Sequence, residues 1–547
     1  MVSRDGETES EGNGRHERGE ATSHDVVIVG GGHNGLVAAA YLARAGLSVL
    51  VLERADEVGG AVASVTPFSG VAARLSRYSY LVGLFPDQIV SDLELSLDLR
   101  SRVTASYTPV DTGRGPRGLL AERSEGTATE ESFADLTGSA AEYRAWQDFY
   151  AGVRKAAEVL APTLLQPLPS RAAVLRLVTE AAGAELTSAL FERPLGEVLE
   201  STFADDVVRG VVFTDGLIGA HTHAHDPNLL QNRVFLYHLI GNGTGEWRVP
   251  VGGMGSVSRA LHKAAVAAGA QVLTGADVQS VDVESTTGTV GWRDREGIEH
   301  SATARYVLAN VAPEVLDRLR GRSPRTKVEG SQLKINMVLT RLPQLRSGVD
   351  PTVAFAGTFH IDESYSQLER AYAEAESGVL PTTIPAEIYC HTLTDPSILA
   401  PELIDAGWHT LTLFGLHTPA RLFASDNAAV RAEATARALA GLNRYLVEPI
   451  EGCIALDDKG VACIEAKSPL DLESELALPG GNIFHTDLQW PFVDEPSDED
   501  RWGVGTDQSQ LLVCGSGARR GGAVSGIGGH NAAMAVLERE NRVMVGE

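Results

Sequence analysis

The feature that most constrains the fold is a glycine-rich turn between a short apolar run and an Ala/Leu-rich segment. The run 26–29 ends at Gly30, and the chain continues as Gly-Gly-His-Asn-Gly into a helical pattern. A second apolar run, 48–52, is followed directly by Glu53. Strand, glycine turn, helix, strand and acid in this order are the layout of a βαβ dinucleotide-binding unit. The sequence therefore predicts an α/β fold with a Rossmann-like domain.

Each residue of this turn has a predicted role in binding a dinucleotide. Gly30 permits the tight turn, Gly32 lets the backbone approach a pyrophosphate, and Gly35 allows close packing of helix against strand. The helix N-terminus, where Asn34 lies, offers free backbone N–H groups to phosphates. Glu53 follows Gly35 by 18 residues and can accept hydrogen bonds from both ribose hydroxyls. At this point NAD and FAD both remain open.

The residues after the second strand narrow the cofactor. Glu53-Arg54 is followed by Gly59-Gly60-Ala61. The chain here resembles the flavoprotein superfamily of amine oxidases and phytoene desaturases, in which the first βαβ unit binds the ADP half of FAD. Within it, the chain is most similar to the phytoene-dehydrogenase-like branch, which includes pyridine nucleotide-disulphide oxidoreductase domain-containing protein two. The stretches that carry the resemblance are residues 75–81, 250–256, 333–336, 480–485 and 514–517.

The resemblance implies FAD bound non-covalently at both ends, since no cysteine matches the family's usual attachment point. It places the backbone of Val278 against the adenine. It also places a C-terminal glycine segment against the ribityl chain and the flavin, through Gly515, Ser516, Gly522, Ala523 and Val524. The chain departs from many relatives at two positions of this segment. Ser516 stands where they carry an acid, and Arg520 where they carry proline.

The length of 547 residues exceeds one ordinary core and predicts two interleaved domains. We expect an FAD-binding domain from residues 24–90, 250–325 and 481–547. Residues 91–249 and 326–480 are expected to form an α+β substrate domain, a mixed sheet with a helical cap. Residues 1–23 are polar and aperiodic and predict a disordered tail.

The local patterns predict individual elements of these domains. Helices are expected over residues 139–161, 170–201, 257–268, 426–447 and 531–537. Strands are expected over residues 271–274, 278–283, 287–293, 298–303, 306–310, 332–340 and 408–416.

Composition excludes several classes of partner. The net charge of −26 argues against nucleic acid, because a phosphate backbone would be repelled. No apolar run reaches 18 residues, so no integral membrane segment is predicted. Four scattered cysteines indicate neither disulfides nor zinc and fit a reducing cytoplasm. The expected partners are a small-molecule substrate, an electron acceptor such as oxygen, a quinone or another carrier, and a second copy in a homodimer.

Lys334 is the first candidate for catalysis. It alternates with bulky apolar residues along a predicted strand, so it lies on the opposite face from them. In amine oxidases that resemble this chain, a lysine on the corresponding strand holds a water at flavin N5. A solvent-facing lysine on a half-exposed strand is the alternative.

Two histidine segments are further candidates. His485 lies in a segment shared with the branch, either in the pocket or packed on aromatic neighbours. The run His-Thr-His-Ala-His at 221–225 looks like metal ligands, but a turn signal follows and no second ligand cluster completes a site. We predict no metal there and a loop facing the active-site cavity, with His223 as a candidate acid or base.

Together these features predict an FAD-dependent oxidoreductase that removes two hydrogens from an organic, partly apolar substrate, with hydride transfer to flavin N5. Amine or amino-acid oxidation is the first alternative. Relatives of that kind usually draw one of two aromatic residues before the flavin from the C-terminal glycine segment, and residues 515–533 contain no Phe, Tyr or Trp. A redox-neutral or non-catalytic flavoprotein is the second alternative.

Overall fold

Two seven-stranded sheets organise the chain, and each has its own buried core. The computed structural model describes residues 21–541 apart from 112, 114 and 285. The predicted tail therefore lies outside the described residues up to position 20. Thr22 and Ser23, also assigned to the tail, belong instead to the first strand, where they pair with residues of a neighbouring strand.

The strands follow one another along the chain in a fixed order. They are β1 (Thr22–Val29), β2 (Val49–Glu53), β3 (Ser64–Val65), β4 (Leu75–Ser76), β5 (Leu99–Arg100), β6 (Thr104–Asp111), β7 (Pro116–Glu122), β8 (Val249–Pro250), β9 (Gln271–Thr274), β10 (Asp277–Val283), β11 (Gly288–Arg293), β12 (Glu299–Ala309), β13 (Leu333–Leu339), β14 (Thr358–Ile361), β15 (Ala386–Tyr389), β16 (His409–Gly415), β17 (Ile464–Lys467) and β18 (Leu511–Val513).

The α-helices are numbered in the same way. They are α1 (His33–Arg44), α2 (Asp87–Asp92), α3 (Thr127–Thr137), α4 (Ala140–Leu160), α5 (Arg171–Ala182), α6 (Ala184–Phe191), α7 (Leu195–Thr202), α8 (Asp206–Thr214), α9 (Leu230–Ile240), α10 (Met254–Ala267), α11 (Pro313–Leu319), α12 (Pro351–Ala354), α13 (Tyr365–Glu376), α14 (Pro401–Asp405), α15 (Asn427–Asn443), α16 (Pro469–Leu476) and α17 (Ile527–Arg539).

The first sheet has the order β10-β11-β12-β1-β2-β9, with β18 also paired to β12. β1 runs parallel to both β12 and β2, and β2 runs parallel to β9. Both faces of β1 are buried: Val26 and Ile28 pack with helix α1, while Val27 and Val29 face a separate cluster under β10–β12. This is the layered α/β arrangement that the glycine turn predicts, and the fold class is confirmed.

β12 differs from its prediction in one respect. Residues 298–303 and 306–310 were expected as two strands, but they form one strand of 11 residues. Its first part pairs antiparallel with β11, and the whole strand continues parallel to β1. The polar residues between the two apolar stretches had suggested a break, yet they lie in the ladder because both neighbouring strands extend past them.

The second sheet has the order β17-β13-β16-β15-β14-β6-β7 and includes both antiparallel and parallel pairs. β6 and β7 come from the region that its pattern assigned mostly to helices. Helices α3 to α9 cover one side of this sheet, and the stretch 170–201 is not a single helix. It breaks at Gly183, which has φ of +91°, and at Pro194, giving α5, α6 and α7. Within the described residues, no helix is both long and apolar enough to cross a bilayer.

Candidate active site

A cavity of about 1250 Å³ opens where the two sheets meet, at the carboxyl ends of β1 and β2. Ligands of open α/β sheets bind at this position because loops there leave a crevice. Fourteen of the predicted site residues line the cavity: Gly30, Gly32, Asn34, Glu53, Arg54, Gly59, Gly60, Ala61, Val278, Lys334, His485, Ser516, Ala523 and Val524. Gly35, Gly515, Gly522 and His223 are not among the lining residues.

The glycine turn is built for close backbone approach. Gly30 has φ of +100°, a conformation that other residues rarely adopt. A Cβ at Gly35 would lie 2.3 Å from the Gly30 carbonyl oxygen, so only glycine lets α1 pack this tightly on the end of β1. The Asn310 amide fixes the turn by donating to the same carbonyl oxygen at 2.9 Å. Gly35 thus acts through packing, which explains why it does not line the cavity.

Glu53 closes the other side of the turn. Its carboxylate accepts a hydrogen bond from the Gly31 N–H at 2.8 Å and another from the Ala55 N–H at 2.8 Å. Gly59, the first of the glycine pair, donates its N–H to the Gly31 carbonyl at 2.9 Å. The acid is therefore held in place at the cavity wall with lone pairs left over for a ligand's hydroxyl groups.

The C-terminal glycine segment packs against the N-terminal one. A Cβ at Gly529 in α17 would lie 2.0 Å from the Asn34 carbonyl oxygen, so the two helices touch backbone to backbone. A Cβ at Gly515 would lie 3.1 Å from Asn310 Oδ1, and one at Gly522 2.8 Å from Leu488. These two glycines therefore support the wall, while Ser516, Ala523 and Val524 form it.

Arg520, where many relatives have proline, is 1% exposed. Its guanidinium donates to the carbonyl oxygens of Thr163 at 2.9 Å, Trp502 at 3.0 Å and, at a shorter distance, Gln166. Burial lowers the pKa of Arg520 to about 10, so the group stays charged near neutral pH. The departure from the relatives thus ties the C-terminal glycine segment to the turn that follows α4.

Two buried imidazoles lie side by side at the middle of the cavity. His33, the first residue of α1, contacts the backbone of Ala523, and its Nε2 has no hydrogen-bond partner. His485 has φ of +65°, and its Nδ1 is also unpartnered. Burial lowers the pKa of each ring to about 4, so both are neutral at neutral pH. His33 was missed from the sequence, although its place inside the glycine turn was the available signal.

Lys334 is 2% exposed, so the interpretation as a solvent-facing lysine is wrong. Both faces of β13 are buried, and Nζ donates to the carbonyl oxygens of Ser76 at 3.2 Å, Arg77 at 3.2 Å and Tyr78 at 2.9 Å. Nζ also lies 5.0 Å from the centre of the Tyr80 ring. Burial lowers the pKa of Lys334 to about 7, with the charge of Glu465 acting in the opposite direction.

The part of the cavity nearest the second sheet and the cap helices is mainly apolar and aromatic. The Tyr80 and Phe414 rings are 6.0 Å apart, and Tyr80 packs on Tyr389 at 4.7 Å. The remaining residues on this side include Leu81, Leu84, Ile218, Val234, Tyr237, His238, Trp247, Ile483, Phe484 and Leu488.

The histidine run 221–225 is not assembled around one point. His221 pairs with Glu376 at 3.0 Å, and His225 pairs with Glu200 at 2.9 Å. His223 packs its ring on Tyr372, with centroids 4.9 Å apart. The loop was predicted to face the active-site cavity, but this histidine lies outside the cavity lining because the chain there turns toward α13.

The residues of this cavity fit an adenine dinucleotide. Glycines leave room for a pyrophosphate at the start of α1, and Glu53 stands where ribose hydroxyls would bind. The buried but unpartnered Asn34 Oδ1, His33 Nε2 and His485 Nδ1 supply polar atoms that a bound ligand would satisfy.

Two family models match the chain. Residues 28–85 match the NAD(P)-binding Rossmann-like domain, and residues 149–373 match the flavin containing amine oxidoreductase family. The fold and the site define an FAD-dependent oxidoreductase, and FAD is its cofactor.

Curated relatives then give the family. An uncharacterized protein of Mycobacterium tuberculosis is 49% identical over 94% of this chain and 97% of its own length. The mouse pyridine nucleotide-disulfide oxidoreductase domain-containing protein 2 is 31% identical over 94% of this chain and 93% of its own length. The chain belongs to the family of these proteins. A shorter match, 42% identical over 17% of each chain, links it to a limonene dehydrogenase of Castellaniella defragrans, through one of that enzyme's component chains.

Solved structures share the fold at low sequence identity. Cyclohexylamine oxidase from Brevibacterium oxydans has a TM-score of 0.56 and 16% identity, covering 95% of this chain and all of that one. A redesigned putrescine oxidase has a TM-score of 0.57 and 18% identity, with the same coverage. These neighbours carry the same arrangement of two domains around a cavity and say nothing further of the substrate.

Proposed function

We propose that the protein dehydrogenates an apolar or partly apolar organic substrate, with desaturation of a C–C bond as its reaction type. The observation that carries this proposal is the chemistry of the cavity wall beside Tyr80 and Phe414, which is mainly hydrocarbon and aromatic. An apolar substrate gains roughly 25 cal/mol for each Å² that it buries against such a wall. The match to limonene dehydrogenase, although short, supports a hydrocarbon-like substrate.

The residues that would hold FAD follow from their places around the cavity. Gly30, Gly32 and Asn34 would bind the pyrophosphate, Glu53 the ribose and the Val278 backbone the adenine. Arg54 and the glycine pair would flank the nucleotide, and the C-terminal glycine segment would contact the flavin. The full proposed set is Gly30, Gly32, Asn34, Gly35, Glu53, Arg54, Gly59, Gly60, Ala61, Val278, Gly515, Ser516, Gly522, Ala523 and Val524.

When bound, FAD supplies a hydride acceptor at flavin N5. The protein's own residues exclude water and orient the substrate carbon that loses hydride, through the apolar wall. Removal of two hydrogens also releases a proton, and His485 is the candidate that accepts it. This ring is neutral, lines the cavity and has a free Nδ1.

Lys334 has a positioning role in this proposal. Its three carbonyl contacts hold residues 76–78 directly before Tyr80, whose ring forms part of the apolar wall. The three N–H donors of the ammonium group are all used by these carbonyls, so the lysine orients the wall. A water at flavin N5 would need one of these contacts to be exchanged.

Oxidation of an amine is the second candidate function. The flavin containing amine oxidoreductase model and the fold of two amine oxidases favour it. Two aromatic side chains, Tyr80 and Phe414, lie together on the cavity wall, but both come from outside the C-terminal glycine segment.

Product analysis separates these functions. The purified FAD-containing protein is incubated with cyclic and linear isoprenoid alkenes, and in parallel with aliphatic amines, each with an artificial electron acceptor. Mass spectrometry of an alkene product that has lost two hydrogens supports the proposal. Aldehyde and ammonia from the amines alone would replace it with amine oxidation, and no product from either class would favour a redox-neutral protein.

A further inference from the structure

A second cavity, of about 230 Å³, lies between the second sheet and the cap helices α4, α8 and α9. It shares Leu81, His238 and Trp247 with the large cavity, so these side chains form a common wall. The His238 and Trp247 rings stack at 4.5 Å and close that wall. The second cavity therefore lies directly behind the proposed substrate end of the first.

The register of two strands places a cluster of polar groups at this cavity. His360 on β14 lies directly opposite Glu387 on β15, and their neighbours Phe359 and Ile388 point into the core on the other face. Glu363 follows after a turn of the chain at Asp362, which has φ of +57°. One ligand atom from each of His360, Glu363 and Glu387 lies within 4.8 Å of the other two.

The charges at this place do not balance. His360, Glu363 and Glu387 are 4%, 1% and 2% exposed, and Asp215 adds a third carboxylate to the lining of the cavity. The positive group beside them is Arg102, which donates to the Trp247 carbonyl oxygen at 3.3 Å and to Thr358 Oγ1 at 3.0 Å. Three ionised carboxylates against one guanidinium leave two uncompensated negative charges, which is costly away from water.

Unpartnered atoms point to a missing ligand. Glu363 Oε2 lies 2.5 Å from His360 Nδ1, but Glu363 Oε1 is fully buried with no hydrogen bond of good geometry. The neighbouring Thr214 hydroxyl has none either. The Tyr389 hydroxyl donates to Glu387 Oε2 and fixes the orientation of that carboxylate. Side chains that orient a carboxylate in this way are typical around metal ligands.

We propose that His360, Glu363 and Glu387 bind one divalent transition-metal ion. One imidazole nitrogen with carboxylate oxygens is a donor set that Zn²⁺, Fe²⁺ and Mn²⁺ accept, and ligand atoms a few ångströms apart can share one ion. A charge of two also cancels the uncompensated charge of the cluster. Three protein ligands leave coordination positions open toward the 230 Å³ cavity, so the ion would tie the second sheet to the cap beside α8.

The test measures metal content of the full-length protein with its FAD. The protein is incubated with Zn²⁺ or with Mn²⁺, passed into metal-free buffer and analysed by plasma mass spectrometry. We expect about one equivalent of metal per chain, lost in Glu387→Gln and in His360→Ala. His225→Ala is the matched control, since that histidine pairs with Glu200 on the exposed side of the cap, and it should keep the metal.

Thermal unfolding gives a second measurement that does not depend on the variants folding well. Added Zn²⁺ or Mn²⁺ should raise the Tm of the wild-type protein by mass action and leave the Tm of Glu387→Gln unchanged. Wild-type protein without bound metal and without a Tm shift would overturn the proposal and mean that protons neutralise the cluster. Metal retained equally in Glu387→Gln and His360→Ala would overturn it as well, since the ion would then bind elsewhere.

Discussion

Lys334 donates a hydrogen bond from Nζ to the carbonyl oxygen of Tyr78 at 2.9 Å, so a buried ammonium group fixes the segment that carries the cavity's aromatic wall. Removing this anchor should loosen residues 76–80 and leave the dinucleotide half untouched. Lys334→Met is therefore expected to keep stoichiometric FAD and to slow flavin reduction or reoxidation by roughly tenfold or more, because misplaced reacting groups lose rate steeply. Rapid-mixing absorbance of each half-reaction measures this.

The control for this variant is Lys467→Met on β17, the strand paired with β13. Lys467 forms an ion pair with Glu475 and is not among the residues that line the cavity. Its rates should stay close to those of the wild type. Unchanged rates of both half-reactions in Lys334→Met would remove Lys334 from the account.

The same lysine predicts a pH dependence of stability. Its pKa is about 7 in the folded protein and 10.5 in an unperturbed chain. Between these values the unfolded chain binds a proton that the folded chain does not, so this group's contribution to the unfolding free energy rises with pH. Lys334→Met removes the contribution, and the Tm difference, variant minus wild type, should be most positive near pH 7 and shrink toward pH 10. Calorimetry giving parallel pH profiles would contradict the lowered pKa.

Glu53 is expected to control FAD affinity. The carboxylate already accepts N–H groups from Gly31 and Ala55, and Glu53→Gln turns one acceptor into a donor that faces them. Loss of charged hydrogen bonds costs about 1.5–3 kcal/mol, so FAD should bind about ten- to hundredfold more weakly. Fluorescence titration of the apoprotein measures it. Glu296→Gln in an exposed turn is the control, and equal affinities of the two variants would refute the role of Glu53.

Gly35 tests the packing of the glycine turn. The added methyl group of Gly35→Ala would meet the Gly30 carbonyl oxygen at 2.3 Å, and backbone cannot yield as a side chain can. Helix α1 must shift, which should cost about 1–3 kcal/mol and weaken FAD binding. Gly452→Ala is the control, because its nearest neighbour would be 3.8 Å away. Thermal unfolding and FAD content that match between the two variants would contradict this packing.

Local patterns predicted the glycine turn, Glu53 and the burial of one face of β13, because these features depend on residues close in sequence. The strand pair β6–β7 was missed, since its residues read like the helical region around them until they join a distant sheet. The three carbonyl contacts of Lys334 and the facing pair His360 and Glu387 depend on chain segments far apart. No periodicity encodes that register, so the structure was needed to find both.

The central claim is that an apolar substrate gives its hydride to the bound flavin. Its most direct test is anaerobic mixing of the purified protein with isoprenoid alkenes, aliphatic amines and alcohols while the flavin's visible absorbance is recorded. The account predicts that one or more alkenes bleach the flavin and that admitted electron acceptor restores the colour. Bleaching by amines alone, or retention of full colour with every compound while FAD stays bound, would contradict it.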